Sequence, residues 1–186
     1  QDRKAGPFVD GKPGVEWWNE AGNLAYYGTR NKQSLCLDVT QPAGKVVFLK
    51  LVAKSDVVTD NFRPGTMRRL GFDHESLAHI NPRIITLSST AYGYTGPWSS
   101  AGSRARTVDA ACGMSYLTGF EGEEPLGPYS AYTDFLAWPF LLSAILVALE
   151  VRDQTGLGQY IDHAQIESSL HFLATPLLDL QLNGRL

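Results

Sequence analysis

Asp134 is the residue whose position first suggests chemistry. It opens the most apolar run of this 186-residue chain, TDFLAWPFLLSAILVALE at 133–150, where nothing more polar than Ser143 follows it as far as Leu149. Ala, Leu and Ile dominate the run, which predicts a helix buried on all its faces, with Pro139 early enough to cost little. A carboxylate at the start of such a helix lies beside unpaired backbone N–H groups and the positive end of the dipole. There it can be held ionised and aimed. The same position also suits a plain helix cap, and spacing alone favours that plainer role. The run is shorter than the roughly 18 apolar residues of a membrane span, so no membrane is expected as a partner.

The remaining candidates are weaker. His163, Glu167 and His171 are four apart and could share a helical face as metal ligands. Each pair drifts by roughly 40° from ideal helical geometry, no compact ligand motif supports them, and no metal is expected. Arg30 and Lys32 flank Asn31 in one small basic cluster, and Arg63, Arg68 and Arg69 lie close together further on. Taken singly, such charges read as solvated surface. The sequence has no GxSxG elbow, no GxxxxGK[ST] phosphate loop and no GxGxxG; GLGQYI half-matches the last.

Composition narrows the setting. A 44% hydrophobic and 19% charged chain is a folded globular protein, and a net charge of −3 gives no global argument for nucleic acid. An anionic ligand would need a local basic patch. Cys36 and Cys112 lie far apart in ordinary contexts, which fits a reducing cytoplasm better than a disulfide framework. No signal peptide or transmembrane pattern is visible, and a cytoplasmic location is expected. Residues 1–20 read as a loop-like lead-in, and the chain, opening on Gln1 in that loop, reads as a processed or truncated piece.

The elements that must position Asp134 alternate between helix and short apolar strand. Residues 34–39 alternate as a short strand. A helix follows with Thr40 as cap, Pro42 in its first turn and Val46, Val47, Leu49, Leu51 and Val52 as its buried face. Residues 56–59 read as a buried strand, 66–70 as a helical turn, and Asp73 caps a helix running through His79, stopped at Asn81–Pro82. Residues 84–89 are another β-rich run. A Gly/Ser-rich loop, a helix over 108–117 and a polar loop lead into Asp134. After its helix, Gly156 and Gly158 give a clear stop, then come a short strand at 159–162 and a closing helix over 164–182. This pattern predicts an α/β fold, an open parallel sheet with flanking helices. Ligands of such sheets gather beyond the carboxyl ends of the strands, and the loop NFRPG lies at one such end.

Several segments together resemble the class III CoA-transferase family, which includes formyl-CoA, carnitine and bile-acid CoA-transferases. They are NKQSLCLDV with a following helix opening on P-x-G; SDVVTDNFRPGTMRRLGF continuing into ESLAHINPRIITLSSTAYGYTGP; and Asp134 with the run to ILVALEVRDQTGLGQYIDHAQIES. Their order and spacing match from Arg30 to about Leu173, and NFRPG, INPR and TG-x-GQ in succession form a specific combination.

The resemblance implies a Rossmann-like large domain, of which residues 1–186 would be part. The family's opening strand and helix have no counterpart before Gln1, and its second domain and glycine-rich flap are missing after this segment. It also implies that Asp134 attacks an acyl-CoA thioester, giving an acyl-aspartyl anhydride and then an aspartyl-CoA thioester that a second carboxylic acid resolves. Lys32, Asn61, Phe62 and Arg69 match family contacts to CoA, with Phe62 on the base and Lys32 and Arg69 on phosphate oxygens. Coenzyme A enters as substrate, with no prosthetic group, and family members form interlocked homodimers. One departure stands out: the loop before Val108 reads SRART where many members carry a Tyr-Asp pair. The related acyl-CoA racemases place a catalytic histidine at about Arg104. Two alternatives therefore stand beside the transferase: a racemase of the same superfamily and a non-catalytic CoA-binding module.

Overall fold

The computed structural model describes residues 30–128 and 131–185, with Phe8 and Gly28, in two compact units, residues 1–38 and residues 39–186. Apart from Phe8, the lead-in of residues 1–20 lies outside the described residues. In the first unit the strand expected over 34–39 does not form: 32–38 have no regular structure, and Val39 of the second unit lies in a turn. An alternating stretch becomes a strand only where a neighbour takes up its backbone groups, and no described strand pairs with this one.

The second unit is built on three parallel strands in the order β1-β2-β3: β1 Val57–Asp60, β2 Ile85–Thr90 and β3 Tyr160–Ala164. Val58, Thr86 and Tyr160 share one row of the register, and Asp60, Ser88 and Asp162 another. The central β2, ITLSST, is almost wholly buried although four of its six residues carry hydroxyls. The open parallel sheet with flanking helices is thus present.

The helix before β1, α1 Pro42–Val52, has Pro42 at its start, but its cap position is Gln41, with no side-chain bond, rather than Thr40. Gly44, Phe48, Leu49 and Val52 make its inward stripe. Val46, Val47 and Leu51, expected to be buried, fall outside that stripe and stay exposed. Val52 packs with Met67, Phe72, Leu77 and Ile84 in one apolar cluster. Asn81 ties this cluster together, its Nδ2 donating to the carbonyls of Val52 at 3.2 Å and Ser55 at 2.9 Å. Between β1 and β2 lie α2 Thr66–Leu70 and α3 His74–Ala78. Asp73 caps α3 as the sequence implies, accepting the Ser76 N–H at 3.1 Å.

After β2 come α4 Ala105–Ala111 and the long α5 Tyr132–Thr155. α4 begins earlier than the expected 108–117, and it stops sooner because Gly113, at φ +91°, turns the chain out of the helix. α5 is longer than its apolar run, so Pro139 lies inside it rather than in the first turn, and the Phe135 carbonyl loses its i+4 donor. The expectation of burial on all faces fails. Thr133, Leu136, Ala137, Ala148 and Arg152 are buried, while Phe135, Trp138, Leu142 and Leu146 form an exposed stripe at helical spacing, with Trp138 61% exposed. The three-stranded sheet with its few helices covers only one side of so long a helix. At 24 residues with a mean hydropathy of 1.8 over its most apolar window, α5 is long and apolar enough to cross a membrane by length and composition, which corrects the expectation that the run is too short.

Both ends of α5 are fixed to the sheet domain. Its first turns pack beside α4 and the helix after β3, where Leu136 joins Cys112, Met114 and Leu173 in a second apolar cluster. At its last turn the buried Arg152 bonds Asp56, just before β1, at 2.8 Å. Gly156, at φ +78°, ends the helix. Gly158 then runs so close to the start of β2 that an added Cβ would lie 1.8 Å from the Ile84 carbonyl oxygen. That approach is the physical reason for glycine in TGLGQ. The closing helix breaks into α6 Gln165–Leu170, a 3₁₀ turn His171–Leu173 and α7 Ala174–Asn183. Pro176 cannot donate to the carbonyl of Phe172, so a single helix through 164–182 does not persist.

Candidate active site

The carboxyl ends of all three strands open into one cleft of about 340 Å³. β1 leads into Asn61 and Phe62, β2 ends at Ser89 and Thr90, and β3 leads into Gln165; all of these line the cleft. In a parallel sheet this is the edge where loops supply side chains to a ligand. Asp60 shapes the first of these turns: one carboxylate oxygen accepts the Phe62 N–H at 3.0 Å and the other the Ser88 hydroxyl at 2.7 Å.

Asp134 lines the same cleft from the first turn of α5. It is not a cap. The cap position is Ala131, and the Asp134 carboxylate instead accepts the Nε2–H of Gln165 at 3.0 Å. Burial pushes its carboxyl above the ordinary carboxylate range; the Gln165 bond works against that, and the negative charge of Asp109 adds to it. The expectation that the helix start simply holds the acid ionised therefore misses the larger effect, which is desolvation. A carboxylate raised in this way is a better base, and a better nucleophile once ionised.

Five further side chains complete the surroundings. Asp109 of α4 is 1% exposed; its Oδ1 accepts the Thr133 N–H at 3.2 Å, while its Oδ2 is buried with no partner. Ser89 bonds His163 Nδ1 at 3.1 Å, and burial pushes that imidazole down against the opposing pull of Asp162 and Glu167. Arg63 and Arg104 bring positive charge to the cleft wall. Gly102 gives Arg63 its room: a Cβ there would lie 3.0 Å from Nη2.

The structure thus brings Asn61, Phe62 and Asp134 to one cleft. Arg69 is not among the side chains lining it; its Nη2 donates to Thr66 Oγ1 at 3.0 Å on its own helix. Arg68 lines a neighbouring cleft of about 420 Å³ over Val58, Thr86 and Tyr160. Lys32 belongs to the first unit, where it is exposed and its ammonium donates to the Gly28 carbonyl. Among the described residues no three His, Cys, Asp or Glu side chains converge as metal ligands. His163 stands on β3, Glu167 on α6 and His171 on the 3₁₀ turn, so their spacing of four is not that of one helix face.

Sequence reasoning passed over Gln165, Ser89 and Asp109. Gln165 is one polar residue among several in DHAQIES, and Ser89 one hydroxyl among three in LSST. Asp109 did carry a signal, as the only charge in VDAACGMSYLTG.

Residues 2–185 match the model of CoA-transferase family III. The chain belongs to that family. It is 43% identical over 160 residues to the succinyl-CoA–L-malate CoA-transferase alpha subunit of Chloroflexus aurantiacus, covering 86% of this chain and 36% of that protein. It is 36% identical to the acetyl-CoA:oxalate CoA-transferase of Acetobacter aceti, over 84% of this chain and 40% of the relative. The crystal structure of a CAIB/BAIF family protein from Brucella suis superposes with a TM-score of 0.85 at 32% identity, covering 99% of this chain and 48% of that one. The chain therefore spans less than half the length of these relatives.

Proposed function

We propose that this chain carries the nucleophile and part of the CoA-ester site of an acyl-CoA:carboxylate CoA-transferase. One observation carries the reading: Asp134 opens into the same strand-end cleft as Asn61 and Phe62. Asp134 attacks the thioester carbonyl; its oxygen–carbon bond forms, the C–S bond breaks and CoA leaves as thiolate. The thiolate attacks the aspartyl carbonyl of the mixed anhydride and releases the first carboxylate, leaving an aspartyl-CoA thioester. An acceptor carboxylate reverses the sequence and frees Asp134. No step needs an outside source of energy.

CoA and the acceptor acid are the small-molecule partners in this reading. Asn61 and Phe62 hold the CoA ester, with Lys32 and Arg69 as phosphate contacts supported by motif alone. Arg63 and Arg104 favour an acceptor with a second carboxylate, since a guanidinium binds one in a two-pronged contact. The relatives named for malate and oxalate support that substrate class. The exposed stripe of Phe135, Trp138, Leu142 and Leu146 is assigned to a second copy of the protein rather than to lipid. A cytoplasmic location, supported by the free thiols of Cys36 and Cys112, belongs to the same proposal.

The test is Asp134→Asn in the full-length protein, with acyl-CoA, hydroxylamine trapping and mass spectrometry of the peptide that contains residue 134. The parent is expected to form the adduct there, and the Asn variant to lose nearly all turnover while still binding CoA. Parental turnover in the variant would sink the mechanism. The alternative reading is a racemase of the same superfamily; His163 bonds Ser89 but does not itself line the cleft. Exchange of the acyl-CoA α-proton with deuterated water, without CoA transfer to any acid, would decide for that reading.

A further inference from the structure

We propose that Asp109, the buried acid of α4, is a positioning residue whose negative charge sets the reactivity of Asp134. The proposal rests on the reading of Asp134 as nucleophile. Asp109 is 1% exposed and meets the first turn of α5, where its Oδ1 accepts the N–H of Thr133, the residue before Asp134. Its Oδ2 is out of solvent with no hydrogen-bond partner. A neutral amide at this position would offer Thr133 the same acceptor without a buried charge, which is a demanding feature for a fold to keep. The hydrogen bond explains why an acceptor stands there; it does not explain the charge.

The neighbourhood gives the charge a direct object. The elements packed on α5 include α4, α6 and β2, and α4 and α6 bond its first turn. α4 and its cap position carry Arg104, Arg106 and Asp109, α6 carries Glu167, and β2 carries no charge. Arg63 and Arg104 line the cleft, and His163 lies behind Ser89. Gln165, the direct partner of Asp134, is neutral. Asp109 is the anion that acts against ionised Asp134, in the same direction as burial. Like charges at close quarters disfavour each other's ionised form.

The consequence falls on the covalent step. When Asp134 is acylated its carboxylate becomes a neutral anhydride, and the negative charge departs with the electron pair on the CoA sulfur. The repulsion between the two acids ends at that moment, so Asp109 favours formation of the intermediate. When the acceptor acid frees Asp134 the repulsion returns, leaving a carboxylate again disposed to attack.

Asp109→Asn in the full-length protein keeps the acceptor for Thr133 and removes the charge. The readout is the rate of adduct formation on Asp134 against pH, by rapid quench and mass spectrometry. The expected result is an acid limb moved to lower pH and a plateau rate several-fold below the parent. An unmoved limb overturns the proposal, whether the plateau stays or falls, because a purely structural role could lower the plateau alone. Should the variant be insoluble, the parent labelled with carbon-13 at the Asp carboxyls decides by NMR. A titration of the Asp134 signal that departs from a single step supports the proposal, and a simple single-step curve for Asp134 overturns it. Failure of the underlying reading looks different: the parent itself forms no adduct at any pH.

Discussion

Replacing Gln165 with methionine removes the hydrogen bond to the Asp134 carboxylate while keeping the length of the side chain. The bond is 3.0 Å, from an amide to an acid in its charged form. Hydrogen bonds to charged groups contribute about 1.5–3 kcal/mol, and the lower figure applies in a cleft open to water. About 1.5 kcal/mol corresponds to roughly tenfold less ionised Asp134 on the acid side of its titration. The sign follows from the folded state. Asp134 already titrates above the ordinary 3.8 because burial outweighs Gln165, and losing Gln165 raises it further. The acid limb of adduct formation therefore moves to higher pH, opposite to the shift expected for Asp109→Asn. Stability carries the same signature. An acid whose folded pKa is raised contributes stability that is fully present below the unfolded value and lost as pH rises through the folded value. Gln165→Met enlarges that loss, so urea denaturation should show the variant about 1.5 kcal/mol less stable than the parent at neutral pH, with the gap narrowing as Asp134 becomes protonated. A limb that stays in place, or an equal stability loss at neutral and acid pH, would refute the reasoning.

Two further outcomes test the fold and the specificity. Gly158→Ala sets a Cβ against the Ile84 carbonyl, which is backbone and cannot step aside. Its expected cost is about 3 kcal/mol or more, read as a lower urea midpoint with an unchanged slope; parental stability would mean that the approach of the two segments is wrong. Arg104→Ala should raise KM for a dicarboxylic acceptor about tenfold, the loss of one charge-assisted contact, and leave a monocarboxylic acceptor nearly unaffected. Steady-state kinetics with succinate and acetate as acceptors check it, and equal effects on both would remove Arg104 from the acceptor site.

Much of this fold is local in origin and was legible for that reason. Asp73 before HESLA, the short runs VVTD and ITLSST, and Gly156 at the end of α5 act through neighbours a few residues away, and the structure places elements where those signals stand. The family motifs carried Asn61, Phe62 and Asp134 as candidates, and the structure sets all three on one cleft. The failures share a different cause. The stretch 34–39 has alternation but no described partner, α1 turns Val46 and Val47 outward, and α5 leaves Trp138 and Leu142 exposed. Each depends on which surface another segment covers, and an apolar residue does not say what it faces.

The amino-acid sequence by itself determined the Asp73 cap, the Gly156 stop after the long helix, and that a lone acid opens the apolar run. Those are properties of short stretches, set by backbone sterics and capping. Only the tertiary structure decided what that acid experiences. Gln165 lies 31 residues after Asp134 and Thr133 lies 24 after Asp109, so both bonds arise from the way α4 and α6 close on the first turn of α5. The balance of burial, hydrogen bond and like charge at Asp134 comes from distances through space, and no spacing along the chain encodes it.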